Sequence, residues 1–302
     1  MKISPIKCNL FQKTKPNVNF GSSRRTIYKT GEGDVFVKPF YDKEMKFTNS
    51  KKGQILCSNT TDFFRDDIYW GWLARNLNTL FPKDKKVNVY NFACSDGSEA
   101  YTLAISLIEK LGEKEAQRFF PIKATDIDPY IIEEAKSGRV FAEEYDIEKL
   151  KEETGNNIEK YFTMKKVENG YILEAKDILK NNIEFSRGDF LSGLDNIEKE
   201  NNLILCRNFW AYLGEDEIIK CAKKLHKKLD ESSIILIGHY DLDNGYPPSF
   251  LTELSFDCAT DIYGEEYMLK KYPYNESGEY ENEKAIKRKI GAYRKRKLSK
   301  ST

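Results

Sequence analysis

Histidine is scarce in this 302-residue chain: His226 and His239 are the only two, and they are not spaced like metal ligands. A histidine-based zinc site is therefore not expected. The six cysteines (Cys8, Cys57, Cys94, Cys206, Cys221 and Cys258) include no CxxC pair. That scatter favours reduced thiols in a cytoplasmic protein over a disulfide frame. Excess charge is lacking too, with 49 basic against 48 acidic residues and a net charge of +1. Bulk electrostatics therefore do not point to nucleic acid. No apolar run approaches the ~18 residues of a membrane span. The opening Met1-Lys-Ile-Ser-Pro-Ile-Lys7 lacks the apolar stretch of a secretory signal, and no internal repeat is visible. What is present is 40% hydrophobic and 32% charged residues, enough for a packed core under a heavily charged surface. The length suits one domain with appendages.

Residues 1–54 mix Lys, Asn, Gly and Pro with isolated aromatics, and read as extended coil with short strands, such as 34–38, or as a disordered lead-in. Residues 55–84 read as a helical lead-in. Thr60 or Thr61 is its candidate cap, and Trp70, Trp72, Leu73 and Leu77 form an apolar stripe. From Val87 strands alternate with helices: strand 87–93, helix 98–111, strand 119–125, helix 129–137, strand 202–206, helix 215–229 and strand 233–238. That order predicts an α/β fold with a doubly wound parallel sheet over residues 85–275. Residues 139–185 break the rhythm. Asn169-Gly170 there is a hairpin signal, which predicts a small β-rich insert. Residues 254–258 and 267–272 read as a final antiparallel pair. Residues 276–302 read as a charged tail, with nine Lys or Arg and no acid between 284 and 300. It is either a solvated end or a tether to acidic surfaces.

Four segments converge at the carboxyl ends of the expected strands, where open α/β sheets bind ligands. Ala93-Cys-Ser-Asp-Gly-Ser-Glu99 is a small-residue turn in which Gly97 relieves the backbone. Thr125-Asp126-Ile-Asp128 ends a strand in acid. Asp126 is the candidate acceptor for ribose hydroxyls, while Asp128 before Pro129 reads equally as a helix cap. Asp189 is either an acceptor for an adenine amino group, with Phe190 beside the ring, or a solvated turn acid. Arg207-Asn208 follows a buried strand, where an arginine needs a partner. Tyr212 either lines the site or packs under the next helix. Cys94 and Cys206 read as small core residues.

The ordered set Asn59-Thr-Thr-Asp-Phe-Phe-Arg65, Ala93-Cys-Ser-Asp-Gly-Ser-Glu-Ala-Tyr-Thr102, Ala124-Thr-Asp-Ile-Asp128, Lys160-Tyr-Phe162, Asp189-Phe-Leu191 and Cys206-Arg-Asn-Phe-Trp-Ala-Tyr-Leu213 resembles the CheR family. These are chemotaxis-receptor glutamate O-methyltransferases that use S-adenosylmethionine. The resemblance covers about residues 55 to 245. It implies a Rossmann-like class I methyltransferase sheet and S-adenosylmethionine as cofactor. Asn59, Thr61 and Arg65 correspond to a segment that closes over that cofactor. Glu99, Asp126, Asp189, Phe190, Arg207 and Asn208 correspond to cofactor contacts, and Tyr212 to an active-site tyrosine. The turn departs from the family pattern, reading Gly-Ser-Glu-Ala in place of Gly-Glu-Glu-Pro, and residues 1–55 show no recognisable N-terminal helical domain.

The scarcity of histidine suits the implied chemistry. A glutamate carboxylate, with a pKa of ~4.3, is already anionic at neutral pH and needs no general base to attack a sulfonium methyl. Arg65 and Tyr212 are the candidate catalytic residues, Arg65 to orient the acceptor carboxylate and Tyr212 to line the transfer channel. The expected partner is a chemoreceptor-like cytoplasmic protein. The other readings are methyl transfer to a different acceptor and a non-catalytic cofactor sensor.

Overall fold

A computed structural model describes residues 61–65, 70–210, 213–238, 241, 251, 254, 256–258 and 291–296, with two short strands near the N-terminus. Those strands, β1 (Thr26–Lys29) and β2 (Val35–Lys38), pair antiparallel with each other. Helix α1 (Trp70–Leu80) buries Trp70, Leu73, Ala74 and Leu77, the expected stripe without Trp72. The lead-in is less helical than its sequence suggested. Thr61 to Arg65 form a turn, Phe64 has φ +48°, and a left-handed residue interrupts a right-handed helix. Thr60 lies outside the described residues.

The alternation from Val87 onward is borne out. It runs β3 (Asn88–Phe92), α2 (Ser98–Leu111), α3 (Glu113–Ala116), β4 (Ile122–Asp126) and α4 (Pro129–Ser137). The chain then enters the insert: β5 (Arg139–Ala142), α5 (Glu144–Thr154), β6 (Phe162–Val167), β7 (Gly170–Ala175) and α6 (Asp177–Lys180). It returns through β8 (Ile183–Arg187), α7 (Phe190–Gly193), β9 (Asn202–Cys206), α8 (Glu215–Lys228) and β10 (Ile234–Leu236), and ends with β11 (Phe256–Cys258) and β12 (Ala292–Lys295). Local chemistry sets several of these boundaries. Asp128 caps α4, accepting from the Tyr130 and Ile131 amides, Pro129 occupies its first turn and Gly138 ends it. Helix α8 carries Glu215, Asp216 and Glu217 in its first turn and His226, Lys227 and Lys228 in its last, which suits the helix dipole.

Seven strands form the main sheet in the order β11-β12-β10-β9-β3-β4-β8. Strands β8, β4, β3, β9 and β10 run parallel, and β12 is antiparallel to both β10 and β11. Alternate residues face opposite sides. Val89, Ala124, Leu203 and Leu205 join the core cluster that contains α1 and α2. Tyr90, Phe92, Ile204 and Ile235 join the cluster that contains α8. From β3 the chain steps to β4 and β8 on one side, and later to β9 and β10 on the other. The reversal lies between β3 and β9, the usual crevice for a ligand in open α/β sheets.

Three expectations need correction. The insert is narrower than 139–185, because residues 183–187 are the edge strand β8 of the main sheet. Its hairpin turns on Glu168-Asn169, since Val167 pairs with Gly170 as the first residue of β7. Among the described residues the strand bonded to Phe256–Cys258 is Ala292–Lys295, and the expected pairing with 267–272 lies outside the described residues. Part of the expected basic tail is therefore an interior strand. Lys295 Nζ donates to the His226 and Leu229 carbonyls at 2.8 and 3.0 Å, satisfying the end of α8. This lysine is committed to the fold rather than to an acidic surface.

Candidate active site

The turn after β3 bends sharply. Ala93 and Ser95 both have positive φ, at +53° and +52°, and Gly97 reaches +91°. A Cβ on Gly97 would lie 2.7 Å from Phe185 Cζ and 2.9 Å from its Cε1. Gly97→Ala is therefore expected to cost about 1–3 kcal/mol from backbone strain alone, with the ring contact adding to it. Thermal unfolding should show the loss, and cofactor affinity should fall with it.

Asp126 ends β4 with its side chain buried, 5% exposed. Its Oδ2 accepts the Ser95 amide and its Oδ1 the Asp128 amide, each at 2.9 Å. One carboxylate thus ties the β3 turn to the β4 turn. Burial pushes the Asp126 carboxyl up, and the hydrogen bonds from Asp128 and Ser95 pull it back. The cap reading of Asp128 is the one the structure adopts.

Glu99, in the first turn of α2, sits at the reversal point. Its Oε1 accepts from Asn91 Nδ2 at 2.8 Å, and its Oε2 accepts a short hydrogen bond from an Arg207 guanidinium nitrogen. The Arg207 side chain is fully buried, while that of Glu99 is 14% exposed. Arg207 also lies over the Trp70 ring, 5.3 Å from its centroid, within the ~6 Å reach of a cation–π contact. The expectation that an arginine at this strand end needs a partner is met by Glu99. Asn208, in the left-handed region at φ +61°, donates its amide to the buried carboxylate of Asp241. Gly238 makes room for it: a Cβ there would lie 2.0 Å from Asn208 Oδ1.

The turn Thr61–Arg65 is held from two sides. The Phe63 amide donates to Asp146 Oδ1 and the Phe64 amide to Thr102 Oγ1, both at 3.1 Å, and Lys149 Nζ donates to the Phe64 carbonyl at 2.9 Å. Arg65 follows directly and is half-buried. Asp189 is exposed and caps α7, accepting the Ser192 amide at 2.9 Å. Phe190 is buried among Phe92, Phe209 and Trp210, with ring centroids 4.9 to 5.1 Å away. In this arrangement Phe190 is a core aromatic. Cys94 and Cys206 are buried, and burial pushes both thiols well up, as expected of core residues. Asn59, Tyr212 and His239 lie outside the described residues. Sequence reasoning missed Asn91 and Asp146. An asparagine inside the apolar run Val89-Tyr-Asn-Phe92 was the available signal for the first.

Glu134 on α4 adds a titratable group nearby. Burial, followed by the carboxylates of Asp96 and Asp128, raises its carboxyl from 4.5 to about 7. The folded state then binds a proton that the unfolded state has released, so stability falls as pH rises from about 4.5 to about 7. Glu134→Gln should flatten that decline, raising the Tm by a few degrees at pH 8 and little at pH 4. Melting curves across this range would check it.

The donor set fits an adenosyl amino acid. Buried acid at the β4 end suits a ribose diol, a partly exposed carboxylate suits an ammonium group, and the small-residue turn allows close approach. Among the described residues no cluster of His, Cys, Asp or Glu is arranged to hold a metal, and no helix is long and apolar enough to cross a membrane. Known proteins resemble the chain around this site. Residues 59–247 match the family model described as CheR methyltransferase, SAM binding domain. The chemotaxis protein methyltransferase of Borreliella burgdorferi is 27% identical over 198 residues, covering 63% of this chain and 66% of that protein. The protein of the same name in Listeria monocytogenes is 28% identical, covering 61% and 65%, and that of Salmonella typhimurium is 26% identical, covering 61% and 60%. The chain thus spans just under two thirds of the length of these curated relatives. With its family model matched over most of its length and a strand-end site of fitting chemistry, the chain belongs to the CheR methyltransferase family.

Proposed function

We propose that this protein transfers a methyl group from S-adenosylmethionine to glutamate side-chain carboxylates of a chemoreceptor-like protein. The observation that carries the reading is the pair of carboxylates beside the carboxyl end of β3, Asp126 at the end of β4 and Glu99 in the first turn of α2, inside a matched SAM-binding domain. The bound cofactor supplies an electrophilic methyl on a sulfonium centre. Asp126 accepts the ribose hydroxyls and Glu99 the amino-acid ammonium. Thr61 closes over the pocket from the turn held by Asp146 and Thr102, and Asn59 contributes to the same closure. Arg207 and Asn208 shape the pocket wall, and Asp189 and Phe190 lie on its adenine side.

The acceptor carboxylate is already ionised, so the protein holds no proton for it. Its task is alignment, which can contribute on the order of 7 kcal/mol or more. Arg65 orients the acceptor carboxylate, and Tyr212 lines the channel. Incubation with methyl-labelled S-adenosylmethionine and a receptor-type cytoplasmic domain tests the reading. Label released by mild alkali is expected, because carboxyl esters hydrolyse there. Alkali-stable label would move the acceptor elsewhere. Tight cofactor binding with no transfer would replace the enzyme by a sensor.

A further inference from the structure

We propose that Asn91 is the positioning residue that sets the Glu99 carboxylate for the cofactor's ammonium group. The inference rests on the reading of Glu99 given above and deepens it. Asn91 occupies β3 between Ala124 on β4 and Leu205 on β9, with no exposed surface. Its neighbours on that face, Val89, Leu203 and Leu205, are apolar core. A primary amide there sacrifices hydration and must be justified by what it bonds. Its Nδ2 donates to Glu99 Oε1, while its Oδ1 is buried with no hydrogen-bond partner. The amide is therefore not a general packing element satisfied on all sides. It is committed to one carboxylate oxygen.

Arg207 holds the other oxygen, and the Trp70 ring lies against the guanidinium. Two donors on separate strand ends, β3 and β9, thus fix both oxygens of a carboxylate whose edge still reaches solvent. Without Asn91, Glu99 Oε1 loses a donor that fixes its direction. With Asn91 in place the remaining lone pairs keep one direction, and a cation of fixed position finds them already aimed. Asn91 acts on the ligand only through Glu99.

Binding of two ligands measured by calorimetry separates this role from a structural one. S-Adenosylhomocysteine carries the amino-acid end, and methylthioadenosine lacks it while keeping the nucleoside. Glu99→Gln should weaken only the first, which tests the underlying reading. If the ratio of the two affinities is unchanged in Glu99→Gln, that reading fails and the present proposal with it. Asn91→Leu should then weaken S-adenosylhomocysteine about tenfold, the scale of one hydrogen bond to a charged group, and leave methylthioadenosine within about twofold. Equal weakening of both ligands, or an unchanged ratio while Glu99→Gln lowers it, overturns the role of Asn91 and leaves Glu99 in place. Asn91→Asp gives a second readout that does not depend on tolerance of leucine. At pH 8 two facing carboxylates repel, and near pH 5 a shared proton restores a hydrogen bond. Selectivity for S-adenosylhomocysteine, taken relative to the wild type, should recover on acidification. A flat profile at the wild-type or the leucine level overturns the proposal.

Discussion

Replacing Glu99 by alanine is expected to lower the free energy of unfolding by about 3–5 kcal/mol, the usual cost of breaking a buried ion pair from one side, and to abolish methyl transfer. The magnitude follows from the asymmetry of the pair. The Arg207 side chain has no exposed surface, whereas Glu99 keeps 14%. Removing the carboxylate takes an ion-pair partner from a buried guanidinium, and also strips the partner from Asn91 Nδ2. A double variant, Glu99→Leu with Arg207→Leu, should recover much of the stability, because both charges leave together and an apolar pair often costs nothing. It should recover none of the activity, because the ammonium acceptor is gone. Chemical unfolding of Glu99→Leu, Arg207→Leu and the double variant supplies the cycle. Additive losses in the double variant would show that the two groups act independently.

The parts of this fold that were legible in the sequence are those whose signals are local. Helix α2 is bracketed by Gly97 and Gly112, and α4 by Asp128-Pro129 and Gly138, so both ranges could be read directly. The first residues of strand β8 were placed in the insert because it is an edge strand. Glu184, Ser186 and Arg187 are exposed, so no continuous apolar run marks it as part of a parallel sheet. Strand β12 was hidden for a different reason. Its sequence Ala-Tyr-Arg-Lys sits in a basic stretch, and its place between β10 and β11 is set by pairing with residues far back in the chain. Local propensity carries no information about such a partner. The site shows the same division. Asp126 could be found from its strand end, and Arg207 from the oddity of an arginine after a buried strand. Their partners could not, since Glu99 and Arg207 are 108 positions apart. The reading of Asp189 and Phe190 as adenine contacts came from motif position, and in the fold Asp189 also caps α7 while Phe190 also packs among aromatic rings. Thr61 was expected to start a helix, yet Asp146 and Thr102 capture the following amides. Tertiary hydrogen bonds from the insert and from α2 outweigh a local capping preference.

Asp126→Ala is expected to cost about 2–6 kcal/mol, since two buried amides would each lose an acceptor at about 1–3 kcal/mol apiece. Those amides belong to Ser95 and Asp128, so the variant loosens both the β3 turn and the start of α4. Cofactor binding should disappear with them. Asp126→Asn separates the two roles. An amide side chain offers one acceptor oxygen in place of two, so one backbone bond survives and the other is lost. A carboxylate has about four lone-pair sites, and the amides of Ser95 and Asp128, with a weaker contribution from that of Ile127, occupy only part of them. The capacity that remains is the reason to place ribose hydroxyls at this residue. Asparagine, holding one amide through its single oxygen, retains about one such site and puts a donor group where the second hydroxyl would donate. Asp126→Asn should therefore fold with a loss of about 1–3 kcal/mol and bind S-adenosylhomocysteine more weakly by about tenfold or more. A 2′-deoxy analogue provides the check, because it removes one hydroxyl from the same contact. The wild type should discriminate against it, and Asp126→Asn should discriminate less. If both proteins reject the deoxy analogue equally, the ribose lies against another group and Asp126 serves the two turns alone.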